Sequence, residues 1–248
     1  MTSTSEHLRR ALAADPSGPR LTYYDDATGE RVELSTTTLA NWVAKTANLL
    51  VLECGVGPDS EISLHLPRHW TTAVWVLAAD ATGARVTYEP GFASPSGSVD
   101  VAVVSPDHVD DPPDAEEVFA VSLAPLAAPF TRPLPPLVRD YTIEVRAMPD
   151  QVSDAVGPPG PLGPLAEEQA ATQSLEPTDR VAALGDLVGL DCLVSQWLAP
   201  LAVGASVIWV RNPEPELCVR RWATERVTAV SGTLPNGVPL PESIRLLA

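Results

Sequence analysis

Lysine is almost absent from this sequence of 248 residues, in which Lys45 is the only one. The chain carries 16 basic residues against 32 acidic ones, so its formal net charge at pH 7 is −16. Proteins that bind nucleic acids gather lysine and arginine against the phosphates, and here the basic residues are few and scattered. The composition therefore argues against a nucleic-acid partner.

Cysteine is also scarce, and its spacing excludes the usual cysteine-based sites. The three cysteines are odd in number, lie far apart and form no C-x-x-C pair. This pattern supports neither a disulfide framework nor a zinc site. The positions are Cys54, Cys192 and Cys218.

Motifs for metal binding and hydrolysis are missing as well. His65 and His69 have the i, i+4 spacing of metal ligands, but Pro67 separates a predicted strand from a predicted helix between them. No G-x-S-x-G elbow of a hydrolase occurs. We therefore expect no metal, no cofactor and no catalytic residue among these positions.

Long apolar runs are limited to residues 187–210, which contain a single charge at Asp191. Pro200 and Gly204 interrupt the run, and it ends in the β-branched stretch ASVIWV. A buried helix followed by a core strand explains this pattern better than a membrane span. The first residues lack the apolar core of a signal peptide, so we expect a cytoplasmic protein without a membrane partner.

Hydrophobic periodicity predicts an α/β protein rich in βαβ units. In the first half it indicates a strand hairpin (LTYYDD, RVELS), a helix over 36–53, a strand (EISLHLP), a helix that Gly83 closes, and a strand (ARVTYEP). SVDVAVVSP and EEVFAVSL follow as strands, residues 124–140 as a loop, and DYTIEVRAM fits helix or strand equally. Residues 179–231 alternate again as βαβαβ, and SIRLLA supplies a last strand.

The stretch VGPPGPLGPL, residues 156–165, separates the two halves. Its prolines and glycines cannot join a central strand, and three Gly-x-x steps are too few for a collagen helix. We therefore divide the chain into an α/β subdomain at 1–152, a Pro/Gly-rich connection with a helix at 153–176, and a second α/β subdomain at 177–248.

The order of these segments resembles adenylate-forming, AMP-binding enzymes such as acyl-CoA synthetases and peptide-synthetase adenylation domains. Residues 21–86 show the hairpin, an A-N-x-L helix, G-V-G-P-D, an L-P strand and a helix ending in A-x-G-A. Residues 178–233 show TDRVAAL, a P-L-x-x-G-A-x-V segment and ERVTAVSGT. The chain is similar to a short bacterial, actinobacterial-type family distantly related to these enzymes. The resemblance implies a layered fold like their N-terminal portion, with the C-terminal domain absent.

The nucleotide machinery of that superfamily is what this sequence lacks. The superfamily cradles ATP phosphates in a Ser/Thr/Gly-rich loop ending in Gly-x-Pro-Lys-Gly, and here VGPPGPLGPL stands in its place without serine, threonine or lysine. The aromatic-Gly-x-Thr-Glu motif is also missing. We therefore read residues 153–176 as a degenerate replacement of the phosphate loop.

Asp191 is the candidate ligand-binding residue that the resemblance implies. In amino-acid-activating relatives an aspartate at this distance before a Gly-Ala pair holds the substrate amine, and Asp191 lies at that distance before Gly204. Leu190 replaces the preceding phenylalanine, and the expected serine is displaced to Ser195. In the alternative, Asp191 lies near a helix start and bonds backbone amides or water.

The sequence thus predicts a non-catalytic protein that binds a small acyl, amino-acid or nucleotide ligand, or a protein partner. Two alternatives stay open: a divergent acyl- or amino-acid-activating enzyme with an unrecognised site, and a structural subunit that assembles with copies of itself. Phosphate chemistry with one lysine would have to depend on arginine and a metal, which favours the binding protein.

Overall fold

The structure is a computed structural model that describes residues 2–90, 98–153 and 156–247. In chain order its helices and strands are α1 (Thr4–Ala14), β1 (Pro19–Asp25), β2 (Glu30–Ser35), α2 (Thr36–Cys54), β3 (Glu61–His65), α3 (Trp70–Ala81), β4 (Arg85–Tyr88), β5 (Val99–Val104), β6 (Ala115–Ala120), β7 (Val138–Asp140), α4 (Tyr141–Arg146), α5 (Leu162–Thr172), β8 (Arg180–Leu184), α6 (Leu190–Leu193), α7 (Ala199–Val203), β9 (Ser206–Arg211), α8 (Pro215–Thr224), β10 (Ala229–Gly232) and β11 (Arg245–Leu246). A π-helical turn, Val194–Leu198, joins α6 to α7.

The chain divides into two units. The first comprises Met1–Leu39, Leu162–Leu187 and Asp191–Ala248, and the second comprises Ala40–Pro161 and Val188–Leu190. The expected boundaries at 152 and 176 differ from this division, because β1 pairs in parallel with β9 and so joins the N-terminal residues to the second half of the chain. Two residues of the expected connection, 154 and 155, lie outside the described residues.

The first unit contains a six-stranded sheet in the order β11-β10-β8-β9-β1-β2. All neighbouring strands are parallel except β1 and β2, which form the expected antiparallel hairpin. At the hairpin turn, Gly29 has φ +76 and its N–H donates to the carbonyl of Asp25 at 2.8 Å. The parallel strands over 179–231 are therefore confirmed.

Both faces of this sheet are covered, which explains why its strands read as continuous apolar runs. On one face α8 packs with a cluster consisting of Ala182, Leu184, Ile208, Val210, Cys218, Trp222, Val227, Val230 and Ile244. On the other, α5 and α7 pack with the cluster Ala170, Leu175, Val181, Ala199, Ala229 and Leu247.

The apolar run at 187–210 is a helix followed by a strand, as expected. The helix ends at Gly204, which takes φ +84 and thereby allows the chain to turn into β9. Within the helix, the carbonyl of Gln196 accepts a bond from the indole N–H of Trp209 at 3.2 Å. No helix among the described residues is long and apolar enough to cross a membrane.

The second unit contains a parallel five-stranded sheet in the order β4-β3-β5-β6-β7. Residues 61–88 form the predicted βαβ unit, and every residue of its helix α3 is buried. Trp75 of this helix packs against Phe119 and Tyr141, with ring centroids 5.8 and 4.8 Å apart. The segment DYTIEVRAM forms α4, and the stretch expected as a loop contributes the short strand β7.

The A-N-x-L helix has a structural use for its asparagine. Asn48 is fully buried in α2, and its Nδ2 donates to the carbonyls of Pro149 and Gln151 at 2.9 and 2.8 Å. Its Oδ1 accepts from the N–H of Ser153 at 2.9 Å. The Asn48 side chain thus bonds the backbone of residues 149–153 in the way that a neighbouring strand would.

Candidate functional site

The carboxyl edge of the six-stranded sheet is where a ligand crevice is expected. The chain leaves β8 toward β9 on one side, and it leaves β10 toward β11 on the other. Open α/β sheets bind ligands at such a topological switch point, outside the carboxyl ends of the strands. The space beyond the ends of β8 and β10 is therefore the candidate site.

Glycines form the backbone at this switch point. Gly185 directly follows β8 with φ +78, and Gly232 ends β10 with φ +87. A Cβ added to Gly232 would lie 2.1 Å from the carbonyl oxygen of Leu184, and one added to Gly185 would lie 3.3 Å from the amide nitrogen of Thr233. The ends of the two strands approach so closely that only glycine fits at Gly232.

The π-helical turn brings a buried amide to the same place. Gln196 is 6% exposed, and its Nε2 lies 3.2 Å from the position that a Cβ on Gly232 would take. The hydroxyl of Ser195 in the same turn accepts a bond from Nε2 of Gln173 at 2.9 Å, so it is used within the fold. Single π-helical turns occur frequently at functional sites.

Asp191 lies in the first turn of α6, which begins after the loop that leaves the carboxyl end of β8. It is therefore on the expected edge of the sheet, but it is exposed and not buried in the apolar run. This position at a helix start agrees with the alternative in which Asp191 bonds backbone amides or water and not a ligand. Its contact with a ligand stays a prediction.

The segment that replaces the phosphate loop offers few hydrogen-bond donors. Pro158, Pro159 and Pro161 have no N–H, and the N–H of Gly160 donates to the carbonyl of Asp80 at 2.6 Å. The carboxylate of Asp80 is buried, and its Oδ1 would lie 2.5 Å from a Cβ on Gly160. The loop therefore packs directly against the buried side chain and backbone of Asp80.

The histidines that share i, i+4 spacing make separate structural contacts. Nε2 of His65 lies 2.5 Å from the hydroxyl of Ser63, and burial together with the neighbouring His108 lowers the pKa of His65. Nδ1 of His69 accepts from the N–H of Thr71 at 3.3 Å and so caps α3. Within the described residues no three metal-ligating side chains group together.

A network of ion pairs occupies the opposite, amino edge of the six-stranded sheet. Arg180 at the start of β8 pairs with Glu225, and its Nη2 also donates to the hydroxyl of Thr22 at 3.1 Å. Burial would raise the pKa of Glu225, but hydrogen bonds from Tyr24 and Arg180 outweigh it and lower that pKa. The network holds β1, β8 and the end of α8 together.

Sequence reasoning did not identify Gly185, Gln196 or Gly232. The signal for the glycines was present, because each directly follows a predicted strand, in RVAALG and in AVSG. The position of Gln196 depends on the π-helical turn, for which the apolar run gives no sign.

No family model matches the sequence. Over 234 residues the chain is 43% identical to a protein of Mycobacterium tuberculosis (strain H37Rv) described as a TIGR03089 family protein, and the match covers 88% of this chain and 93% of that protein. The fold is similar to an acetoacetyl-CoA synthetase from Streptomyces lividans (TM-score 0.69) and to an acyl-CoA synthetase from Brucella canis (TM-score 0.72).

Both structural matches are 17% identical in sequence and cover 92% of this chain. The chain spans 42% of the first synthetase and 47% of the second. They confirm the expected fold, which is an α/β fold like the N-terminal domain of acyl-CoA synthetases.

Proposed function

This chain belongs to the TIGR03089 family, and from that premise we propose that it is a binding protein: it uses an acyl-CoA synthetase-like fold to hold a small ligand and does not adenylate it. The ligand class is an acyl, amino-acid or nucleotide compound. In this proposal the ligand binds beyond the carboxyl ends of β8 and β10, and Asp191 contacts it.

The observation that carries this proposal is the composition and bonding of residues 156–165. A phosphate cradle needs backbone N–H groups that converge on the oxygen anions. Here four prolines remove donors, and the N–H of Gly160 is already bonded to the carbonyl of Asp80.

The single lysine does not replace these donors. The ammonium group of Lys45 donates to the carbonyl of Met148 just after α4, and it lies 3.5 Å from the carbonyl of Arg146. These bonds satisfy carbonyls at the end of a helix, where a cation is favourable. Lys45 therefore has a structural use within the second unit.

The first experiment is a thermal melt with millimolar ATP and magnesium, with adenosine as the control. If ATP bound with a dissociation constant about a hundredfold below its concentration, linkage would stabilise the protein by roughly 2.7 kcal/mol. For a chain of this size that raises the melting temperature by about 5–10 °C. We expect no such rise, and a rise with ATP but not with adenosine would show that the phosphates are held.

The second experiment tests catalysis directly. Pyrophosphate–ATP exchange is measured in the presence of a panel of fatty acids and amino acids, because exchange requires reversible adenylate formation. We expect no exchange above a control without protein. Exchange that depends on one acid would instead establish the divergent activating enzyme and overturn the proposal.

The role of Asp191 is tested by native mass spectrometry of the purified protein, which detects bound small molecules and the oligomeric state together. We expect Asp191→Asn to lose the bound ligand with the fold intact. The matched control is Glu216→Gln, because Glu216 is an exposed carboxylate in the first turn of α8. Equal ligand occupancy in both variants would remove Asp191 from the site.

A further inference from the structure

Arg20 is a buried arginine whose hydrogen-bond acceptors are all neutral. It is 5% exposed, its Nε donates to the hydroxyl of Thr36 at 3.4 Å, and its Nη1 donates to the carbonyls of Gly204 and Ala205, the latter at 2.9 Å. In the described part of the chain no carboxylate forms an ion pair with it. Buried charges are ordinarily paired in direct contact with an opposite charge, whereas the carboxylate of Asp15 attracts Arg20 without forming an ion pair with it among the described residues.

Arg20 lines a surface cleft of about 420 Å³ in the first unit. The cleft lies at the amino ends of β1, β8 and β9, since its walls include Pro19, Arg180 and Ser206. Its volume is in the range of small-molecule sites. This is the edge of the sheet opposite the switch point, so the cleft is separate from the site proposed above.

Most of the charges around this cleft neutralise one another. The acidic residues Asp179, Glu225 and Glu33 each have an arginine partner. Asp15 remains, and its carboxylate is exposed and accepts a bond from the N–H of Gly18 at 2.9 Å. The ion pairs are Arg245–Asp179, Arg180–Glu225 and Arg31–Glu33.

The cleft has a second arginine that takes no part in the ion pairs of the described residues. Arg226 follows α8 with φ +55, is exposed, and forms no ion pair with the described residues. Arg20 and Arg226 therefore leave two guanidinium groups on one cleft against the single exposed carboxylate of Asp15. Guanidinium groups bind carboxylates and phosphates with paired N–H donors, which a lysine cannot reproduce.

We propose that this cleft binds a small oxyanion, a phosphate or carboxylate group, through Arg20 and Arg226. The hydroxyl of Ser206 completes the site: it accepts from Nη1 of Arg180 at 3.3 Å and keeps its own hydrogen to donate. The proposal does not depend on the ligand or on the lack of catalysis proposed for the other edge of the sheet.

A purely structural use of Arg20 predicts a different outcome. Its bonds to Gly204 and Ala205 satisfy carbonyls at the end of α7, where a positive charge is favourable without any ligand. In that case Arg226 has no part, because it makes none of these bonds. Substitution of Arg226 therefore separates the two explanations, even if Arg20 variants fail to fold.

The experiment is calorimetric titration with inorganic phosphate and, separately, with succinate, at an ionic strength held constant with sodium chloride. We expect saturable binding of at least one anion by the wild-type protein. Arg226→Asn should weaken it by about tenfold or more, which is the usual effect of one charge-assisted contact. Asparagine tolerates the left-handed backbone, so this variant should fold.

The matched control is Arg220→Asn, because Arg220 is an exposed arginine on α8 that does not line the cleft. It should bind the anions like the wild type. Binding of phosphate alone assigns a phosphate site, binding of succinate alone a carboxylate site, and binding of both a general oxyanion site. No saturable binding, or equal binding by wild type and Arg226→Asn, overturns the proposal.

Discussion

Replacement of Gly232 by alanine tests how the two strand ends meet at the switch point. Gly232 has φ +87, a conformation that residues with a side chain rarely adopt. In addition, the new Cβ would lie 2.1 Å from the carbonyl oxygen of Leu184 on the adjacent strand. Neither atom belongs to a flexible side chain, so the strand ends themselves must shift.

The loss of stability in Gly232→Ala can be estimated from these two effects. A positive φ costs an alanine about 1–2 kcal/mol, and forcing a methyl group into a filled space costs about 1–3 kcal/mol. Alanine restricts the unfolded chain, which offsets about 0.4–1 kcal/mol. The free energy of unfolding should therefore fall by about 1–5 kcal/mol, and the melting temperature by roughly 2–18 °C.

The assay is equilibrium unfolding in urea, with Gly204→Ala as the matched control. Gly204 has a similar φ of +84, but nothing lies within 4 Å of a Cβ placed there. The control should therefore lose only about 1 kcal/mol. If Gly232→Ala were no less stable than Gly204→Ala, the close approach of β8 and β10 would be refuted.

Two further predictions concern buried charge. Burial has the largest effect on the pKa of His7 and outweighs the hydrogen bond to Glu167, so this pKa is lowered in the folded protein. The neutral His7 therefore contributes to stability above the unfolded pKa of about 6.5, and this contribution is lost as the pH falls through the lowered pKa. Unfolding free energies at pH 8 and pH 5 should thus differ more in the wild type than in His7→Gln, and an equal pH dependence would contradict this. Asp26→Ala should lower the free energy of unfolding by about 3 kcal/mol, because it leaves Arg221 without its ion pair at 11% side-chain exposure. The control Asp110→Ala breaks the exposed pair with Arg132 and should lower the free energy of unfolding by less than about 1 kcal/mol in the same denaturation assay.

Much of the fold could be predicted from the sequence because its signals are local. The spacing of apolar residues over 36–53 and the helix stop at Gly83 depend on neighbours in the chain, and the structure has α2 and α3 there. The break at Gly204 was readable for the same reason, since a helix that ends in the left-handed conformation needs glycine.

Side-chain environments were harder to predict. Two adjacent arginines such as Arg220 and Arg221 are typical of a solvated helix face, but Arg221 is only 9% exposed. It pairs with Asp26 and stacks 4.1 Å from the ring centre of Tyr24. Asp191 differs in the opposite direction: the surrounding apolar run suggests a buried side chain, and the structure has it exposed. Exposure depends on which face of a helix is packed, and short helices such as α6 provide too few residues to show a period.

Apart from α1, β7 and α4, the sequence by itself determined the order of strands and helices, and it also determined the parallel connections and the loss of donors at residues 156–165. These features depend on the backbone preferences of short segments and on the chemistry of the residues within them. Only the tertiary structure decided that β1 lies beside β9 and that the ends of β8 and β10 meet at two glycines. It also decided that Arg20 reaches the carbonyl of Gly204, which is 184 residues away along the chain. Such contacts arise from strand pairing between distant segments, whose partners local periodicity does not specify.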